Sequence, residues 1–525
     1  MSRARSGLAV ALRLQLRTGW KVLAAWVVGL VGTYTATVAA IDTTYGTPEQ
    51  LATYGATVGA DPTMAAINGT PYGADTLGGV VSNEFGFISA IAIPLMGLLL
   101  VTRSTRAPEE TGMLELLRSR SVSARAPWTA ALLVTGGALV LVALGMLATL
   151  LAYDVDAADA ALYAASIAGL GAVFAGIATL AGQLLRRAAG VTAVGVLVLG
   201  IAYVARAAGD VKDTGWRWLS PLAWQQETRP FADDARVWPL LLALGVAATL
   251  VAAGMVLVGR RDLGSALVAG RPGPARAGRF LSSLPGLALR QHGAGLVSWT
   301  VGAAVVGGVF GVFTDDIDDV VEANPDVQQL MSAGGGDAAT WYVAYCLVLV
   351  LLMAVGAGVQ VVTRVRREET GGRLETTLSR AVPRAGWLGT HAAVAVLGAM
   401  AVALAGGAGL GVAVTASGGD VDTLTATVEY LPAVAAVPAL GVALFGALPR
   451  GTSLVWAAFG YVAVVELIGE ALSMPDWALD LSPFHAIGRL PGDDASGQAV
   501  AVVSTVVVVL LAVGLLGLRR RDVPR

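Results

Sequence analysis

The chain predicts an all-α polytopic membrane protein, twelve transmembrane helices arranged as two fused six-helix repeats. Three observations carry that prediction. Hydrophobic residues make up 55% of the 525 residues and charged residues 14%, with a mean hydropathy of +0.69, whereas soluble chains carry about 25% charged residues. Apolar runs of about 18 residues or more, long enough to cross a hydrocarbon core, recur from one end to the other. Lys and Arg are absent from Val22 to Thr102, from Gln291 to Thr363 and from Ala385 to Pro449, so each gap holds two spans and the loop that joins them.

Taken in order, the spans are expected at 20–41, 84–102, 127–152, 160–185, 188–206, 237–259, 294–313, 339–363, 387–416, 427–448, 452–472 and 498–518. The first apolar run is too long for a cleaved signal peptide. Residues 7–19 before it, with Leu8, Leu12, Leu14 and Leu16 beside Arg13 and Arg17, read as a short amphipathic helix lying on the membrane. Orientation follows the distribution of basic residues. Of the 35, all but Arg206, Lys212, Arg217, Arg229, Arg236 and Arg489 fall on the side of the N-terminus. The opposite loops are acidic, with Asp42, Glu49, Asp61 and Asp75 in the first and Asp315, Asp316, Asp318, Asp319 and Glu322 in the fourth. Both termini are therefore expected in the cytoplasm of a cell whose plasma membrane the chain crosses many times. The single cysteine, Cys346, excludes an internal disulfide and sits in an apolar run as a small packing residue.

The two halves repeat. Glu109-Glu110-Thr111-Gly112 returns as Glu368-Glu369-Thr370-Gly371, a step of 259, and the runs end at Trp128 and Trp387 with the same step. Asp61-Pro62 matches Asn324-Pro325, in each case an N-cap residue followed by proline, so a short external helix is expected in each loop. Leu219-Ser220-Pro221 matches Leu481-Ser482-Pro483, and Arg260-Arg261-Asp262 matches Arg520-Arg521-Asp522. With six spans per half, both halves enter from the same side, which implies a pseudo-twofold axis along the membrane normal. The divisions are a first six-span half at 1–259, a cytoplasmic linker at 260–293 containing Arg271-Pro272-Gly273-Pro274, and a second six-span half at 294–525.

Catalytic constellations are missing. The two lysines, Lys21 and Lys212, follow no glycine-rich loop, so the chain has no P-loop to hold β- and γ-phosphates. His292, His391 and His485 are widely spaced, with no His-Glu-x-x-His, and there is no serine nucleophile elbow. Nothing points to nucleic acid. The reading is of a non-enzymatic chain without a cofactor of its own, acting in a lipid bilayer.

What remains is the repeated charged segment between the second and third spans of each half. Pro108 with Glu109 and Glu110 reads as a helix start facing the positive end of the dipole, and Leu114 and Leu117 follow at helical spacing. In the second copy Glu369 stands four residues before Arg373, then come Leu374 and Leu378. A short amphipathic helix offering leucines and carboxylates suits a soluble partner. One copy alone would also suit a helix anchored among headgroups; two copies in register favour docking.

On these residues the chain resembles the permease subunits of ATP-binding-cassette exporters, in particular the actinobacterial polyketide-antibiotic (tetronasin-type) and multidrug exporters. The matching features are Glu109-Glu110-Thr111-Gly112 with Leu114-Glu115, Glu368-Glu369-Thr370-Gly371 with Leu374-Glu375, and two fused six-span halves. The resemblance implies that residues 107–120 and 366–380 are coupling helices seated in two copies of a separate P-loop ATPase, which would bind the ATP and Mg. It also implies export of hydrophobic or amphiphilic compounds such as drugs, antibiotics or lipids. The two copies differ by a one-residue slip between Gly and Leu-Glu, and Leu117 stands where the second has Thr377.

Charges within spans are expensive and become functional candidates. Glu466 and Glu470 share a face of the eleventh span, and Arg206 ends the fifth. They fit either an outer gate, an ion pair across the axis, or separate snorkelling to the interface. Tyr34, Tyr203, Phe459 and Tyr461 are candidate pathway residues or simple packing, and Trp216, Trp218, Trp224 and Trp238 read as an interfacial belt. The competing function is a proton-coupled twelve-span secondary transporter, whose halves repeat in the same parallel way. Glu466 and Glu470 would be its carboxylates, but segment 103–126 lacks the basic Gly, Asp-Arg, Gly-Arg-Arg signature of that class.

Overall fold

The computed structural model describes residues 2–57, 65, 67–118, 122–212, 214–268, 276, 278–312, 314, 338–380, 382–469 and 474–521. Asp61-Pro62, Asn324-Pro325, the acidic run 315–322 and Glu470 lie outside them. Among the described residues all regular structure is helical, which satisfies backbone polar groups within each segment where hydrocarbon replaces water. Among the described residues eleven helices have the length and composition to cross a membrane: Gly7–Thr44, Gly86–Glu110, Ala126–Ala152, Ala157–Leu184, Ala188–Val211, Trp238–Val258, Leu284–Val312, Ala339–Thr370, Arg384–Ala416, Thr423–Ala447 and Gly497–Arg520.

The expected span at 452–472 differs. It is an apolar helix, Leu454–Ile468, of 15 residues, and at 1.5 Å per residue it covers about 22 Å of a core about 30 Å thick. A 3-10 turn at Pro449–Gly451 sets its start. The N-terminus also differs from expectation. The amphipathic stretch is no separate element, because one helix runs Ser2–Thr44. No proline interrupts it, and each of its glycines, Gly7, Gly19, Gly29 and Gly32, costs about 1 kcal/mol, too little at any one place to break a helix of that length. Gln15 ties this N-terminal part to its neighbours, its Nε2 donating to the carbonyls of Pro127 (3.0 Å) and Ser104 (3.3 Å).

Local signals explain most boundaries. Asp156 caps Ala157–Leu184, its carboxylate accepting from Ala158 N at 2.8 Å. In the first loop an unexpected helix, Pro48–Thr57, opens with a reciprocal capping box between Thr47 and Gln50. The second long helix breaks at Thr105, whose φ and ψ are −125° and −77°. Pro108, three residues on, explains the break: a helical proline clashes with the carbonyl four residues back. In the second half, Ala338–Thr370 has no proline there and runs on unbroken for 33 residues.

The chain divides into two compact units, Met1–Pro272 and Gly273–Arg525. The first long helix of the second unit is Leu284–Val312. Within each unit the same pairings recur: first long helix on third, second on fourth, fourth on last. The core of the first unit centres on Tyr34, Phe85, Tyr163 and Phe174, and that of the second on Val343, Cys346, Leu351, Tyr430 and Phe484.

In a bilayer, helices associate through close packing more than through the hydrophobic effect, and small residues permit it. Gly307 faces the carbonyl of Gly406, and a Cβ at Gly307 would collide with that oxygen; Gly245 has open space in front of it. We expect Gly307→Val to destabilise the detergent-purified chain by about 1–3 kcal/mol through overpacking, read as a lowered thermal midpoint, while Gly245→Val leaves the midpoint unchanged. Equal midpoints for the two variants would contradict this packing.

Candidate functional site

The repeated charged segments are two turns of one construction. In the first unit, helix Arg106–Glu110 is followed by Thr111-Gly112 and helix Met113–Arg118. In the second, Ala338–Thr370 is followed by Gly371-Gly372 and helix Arg373–Leu378. The corner of each turn is a left-handed glycine, Gly112 at φ +77° and Gly372 at φ +72°, a conformation that costs an L side chain roughly 1–2 kcal/mol.

Glu109 lies inside the first turn, its side chain 2% exposed. Arg261 grips it with both arms, Nη1 to Oε1 at 2.5 Å and Nη2 to Oε2 at 2.6 Å, the planar fork that matches a carboxylate. Arg106 Nη1 approaches the same carboxylate at 3.0 Å, and Gly264 N donates to it at 3.0 Å. The arginines are themselves held. Arg261 donates from Nε to Gln183 Oε1 at 2.7 Å and from Nη1 to the Ser265 carbonyl at 2.8 Å. Arg106 donates to the carbonyls of Arg186 and Ser265, both at 3.0 Å.

The second turn repeats the arrangement. Glu369, its side chain 3% exposed, takes Arg521 Nη2 at 2.6 Å and a close contact from Arg366 Nη1. Arg521 also lies over the Phe445 ring, 5.3 Å from its centre, while its carbonyl accepts from Arg384 Nη1 at 2.6 Å. In both turns the arginine is 152 residues from its glutamate.

This geometry corrects the register. Pairing Glu109 with Glu368 at a step of 259 follows the repeated letters, but the built equivalents are Arg106 and Arg366, Glu109 and Glu369, Gly112 and Gly372, Leu114 and Leu374, Glu115 and Glu375, Arg261 and Arg521, a constant 260. The corner glycine and the inward carboxylate set equivalence, and the second copy carries one extra glycine before its corner. The slip before Leu-Glu therefore disappears. Glu110 corresponds to Thr370, and Glu368 to Pro108.

The expected docking residues thus divide by direction. Glu109, Glu369, Leu114 and Leu374 point inward, with the two leucines 4% and 1% exposed, so they build the turns and offer a partner no surface. Glu110, Thr111, Glu115, Thr370 and Gly371 are exposed, and Glu375 is half-buried. Glu110 accepts from Ala188 N at 3.0 Å, capping the fifth long helix, and Glu368 pairs with Arg373 at 2.8 Å. Met113 at 54% and Leu116 at 73% exposure are the apolar groups that face outward. In the sequence Arg261 and Arg521 stand out only as repeat residues, because they lie 152 positions from the glutamates they hold.

Of the expected gate residues, Arg206 and Glu466 find partners within their own units, and Glu470 lies outside the described residues. Arg206, 2% exposed, donates to the Ile67 carbonyl at 2.7 Å and lies over the Tyr203 ring, whose hydroxyl donates to the same carbonyl at 2.7 Å. It borders a small polar cleft lined by Asn68, Asn83, Gln225 and Gln226. Glu466 accepts from Ser482 Oγ and from His485 N at 3.1 Å, at the start of the short helix Pro483–Ile487. Tyr34 is packing, wholly buried and edge-on to Phe85 with ring centres 5.1 Å apart. Phe459 packs partly buried against Trp456 at 5.9 Å. Beyond the membrane-length helices Glu227 gathers Arg217, Arg229, Arg236 and the Tyr72 hydroxyl. Burial and that hydrogen bond push the Tyr72 phenol up to about 12, so it remains a donor at neutral pH. The histidines are less scattered than their spacing implies: His292 and His391 meet at 3.1 Å, though no group of three or more metal-ligating side chains occurs among the described residues.

A family model described as multidrug efflux system permease Rv1217c, C-terminal domain, matches residues 281–519. The multidrug efflux system permease protein Rv1217c of Mycobacterium tuberculosis is 36% identical over 526 residues, covering 98% of this chain and 94% of that protein. The chain belongs to this permease family. As a member of the Rv1217c family it is a multi-pass membrane permease, and the matched C-terminal segment holds Glu369 and Leu374.

The two candidate registers predict different effects of alanine. At a step of 260, Gly112→Ala and Gly372→Ala should each lower stability by about 1–2 kcal/mol, while Gly371→Ala, outside the left-handed region, should have the smaller effect. Thermal midpoints of the purified variants decide it. A larger loss at Gly371 than at Gly372 would restore the step of 259.

Proposed function

We propose that the chain is the transmembrane subunit of an ATP-binding-cassette exporter. In this reading it moves hydrophobic or amphiphilic compounds out of the cell, and two copies of a separate ATPase, which binds the ATP and Mg, seat on the turns at 106–118 and 366–378. The observation that carries it is the turn built twice, with an inward carboxylate locked by two arginines and an outward helix left exposed. A loop that merely joined spans would not require one buried network in both units. Membership in a family of multidrug efflux permeases supports the direction and the class of cargo. The charge gaps in the sequence support a plasma-membrane chain with both turns and both termini in the cytoplasm.

The outward faces differ although the inner networks agree. Position for position, Met113 and Leu116 face Arg373 and Thr376. The first seat is therefore apolar and the second charged. Salt screens exposed charges over about 8–10 Å and leaves apolar contacts in place. Met113→Glu with Leu116→Glu should reduce ATPase retained in a pull-down at least about tenfold, a loss near 1.4 kcal/mol, with the permease still folded. Arg373→Glu should weaken retention chiefly at low salt. Full retention by both variants would remove the turns as docking seats.

A further inference from the structure

Each carboxylate does more than shape its own turn. Glu109 sits just past the end of the second long helix, Arg261 follows the last helix of the unit, Trp238–Val258, and Gln183 ends the fourth, Ala157–Leu184. In the second unit Glu369 belongs to Ala338–Thr370, Arg521 caps Gly497–Arg520, and Phe445 is near the end of Leu431–Ala447. One buried ion pair thus joins the same ends of the second, fourth and last helices in both units. The last and fourth helices also pack along each other in each unit, so whatever shifts the turn shifts that pair.

We infer that Glu109–Arg261 and Glu369–Arg521 are positioning pairs that pass displacement of each turn to the fourth and last helices of its unit, converting ATPase movement into export. This rests on the reading that the turns seat a separate ATPase. The first and third helices pack against each other, and in the second unit the third is tied to the Arg521 carbonyl through Arg384. The two pairs are unequal. Arg261 uses Nε, Nη1 and Nη2 on Glu109, Gln183 and Ser265, a pattern lysine cannot copy. Arg521 reaches Glu369 through Nη2 alone, a single contact that an ammonium can replace. Arg261→Lys therefore disrupts export where Arg521→Lys tolerates it.

The test measures compound exported per ATP hydrolysed, using full-length permease with its ATPase in proteoliposomes and a fluorescent hydrophobic drug as probe. Because removing one partner strands a buried charge, the informative variants are Glu109→Gln with Arg261→Gln, and Glu369→Gln with Arg521→Gln, which remove both charges together. Compared at equal amounts of retained ATPase, both should show export per ATP lowered about tenfold. Arg521→Lys should stay within twofold of wild type, and Arg261→Lys should fall like the double variants. An unchanged export ratio in the double variants overturns the inference, as does a loss of export that only tracks a loss of folded protein. If a double variant fails to fold, the lysine pair decides: equal export by Arg261→Lys and Arg521→Lys refutes it. Failure of the wild-type permease to retain any ATPase would instead refute the docking reading.

Discussion

A carboxylate buried beside a membrane-length helix is the constraint on which the paired turns depend. Removing such a charge from water costs several kcal/mol, and attraction recovers the cost only when geometry is good and the remaining hydrogen-bond sites are filled. Glu109 meets both conditions, with two arginines and a backbone N–H around it. Because Arg261 and Arg106 are in turn held by Gln183, Arg186 and Ser265, the charge cannot shift without disturbing several helix ends. Glu369 has fewer partners but is held by the same kinds of group in the same order.

Much of the helical layout was legible in the sequence, because the cost of placing charge in hydrocarbon leaves long stretches without Lys or Arg. Helices at 126–152, 157–184 and 384–416 fall close to their expected places. The exceptions have local causes. Hydropathy marks where a span starts to be apolar, not where its helix starts, so Ser2–Thr44 and Leu284–Val312 begin well before their apolar runs. The stretch after Pro449 is apolar enough for a span, yet its helix has 15 residues. Pro108 breaks one copy of a helix that its counterpart continues, a difference visible in the letters but readable only once the register is known.

The site was half legible. Repetition of Glu-Glu-Thr-Gly located both turns, yet repeated letters do not say which glutamate faces inward. The extra glycine in the second copy moved the apparent register by one, and only the corner glycines Gly112 and Gly372 with the buried carboxylates show the step of 260. The arginines that complete the networks lie 152 residues away, beyond the reach of any local pattern. Hydrophobic letters misled in the other direction: Leu114 and Leu374 look like gripping residues and are instead the inner packing of the turns.

Division of each turn into a locked inner face and a presented outer face is the central claim, and site-specific photocrosslinking tests it most directly. A photoreactive amino acid would be placed at 113, 116 and 373 on the outer faces and at 114 and 374 on the inner ones, in the permease co-expressed with its ATPase. The account predicts covalent adducts with the ATPase from the outer positions and none from the inner two. Adducts from 114 and 374, or none from any of the five positions, would contradict it.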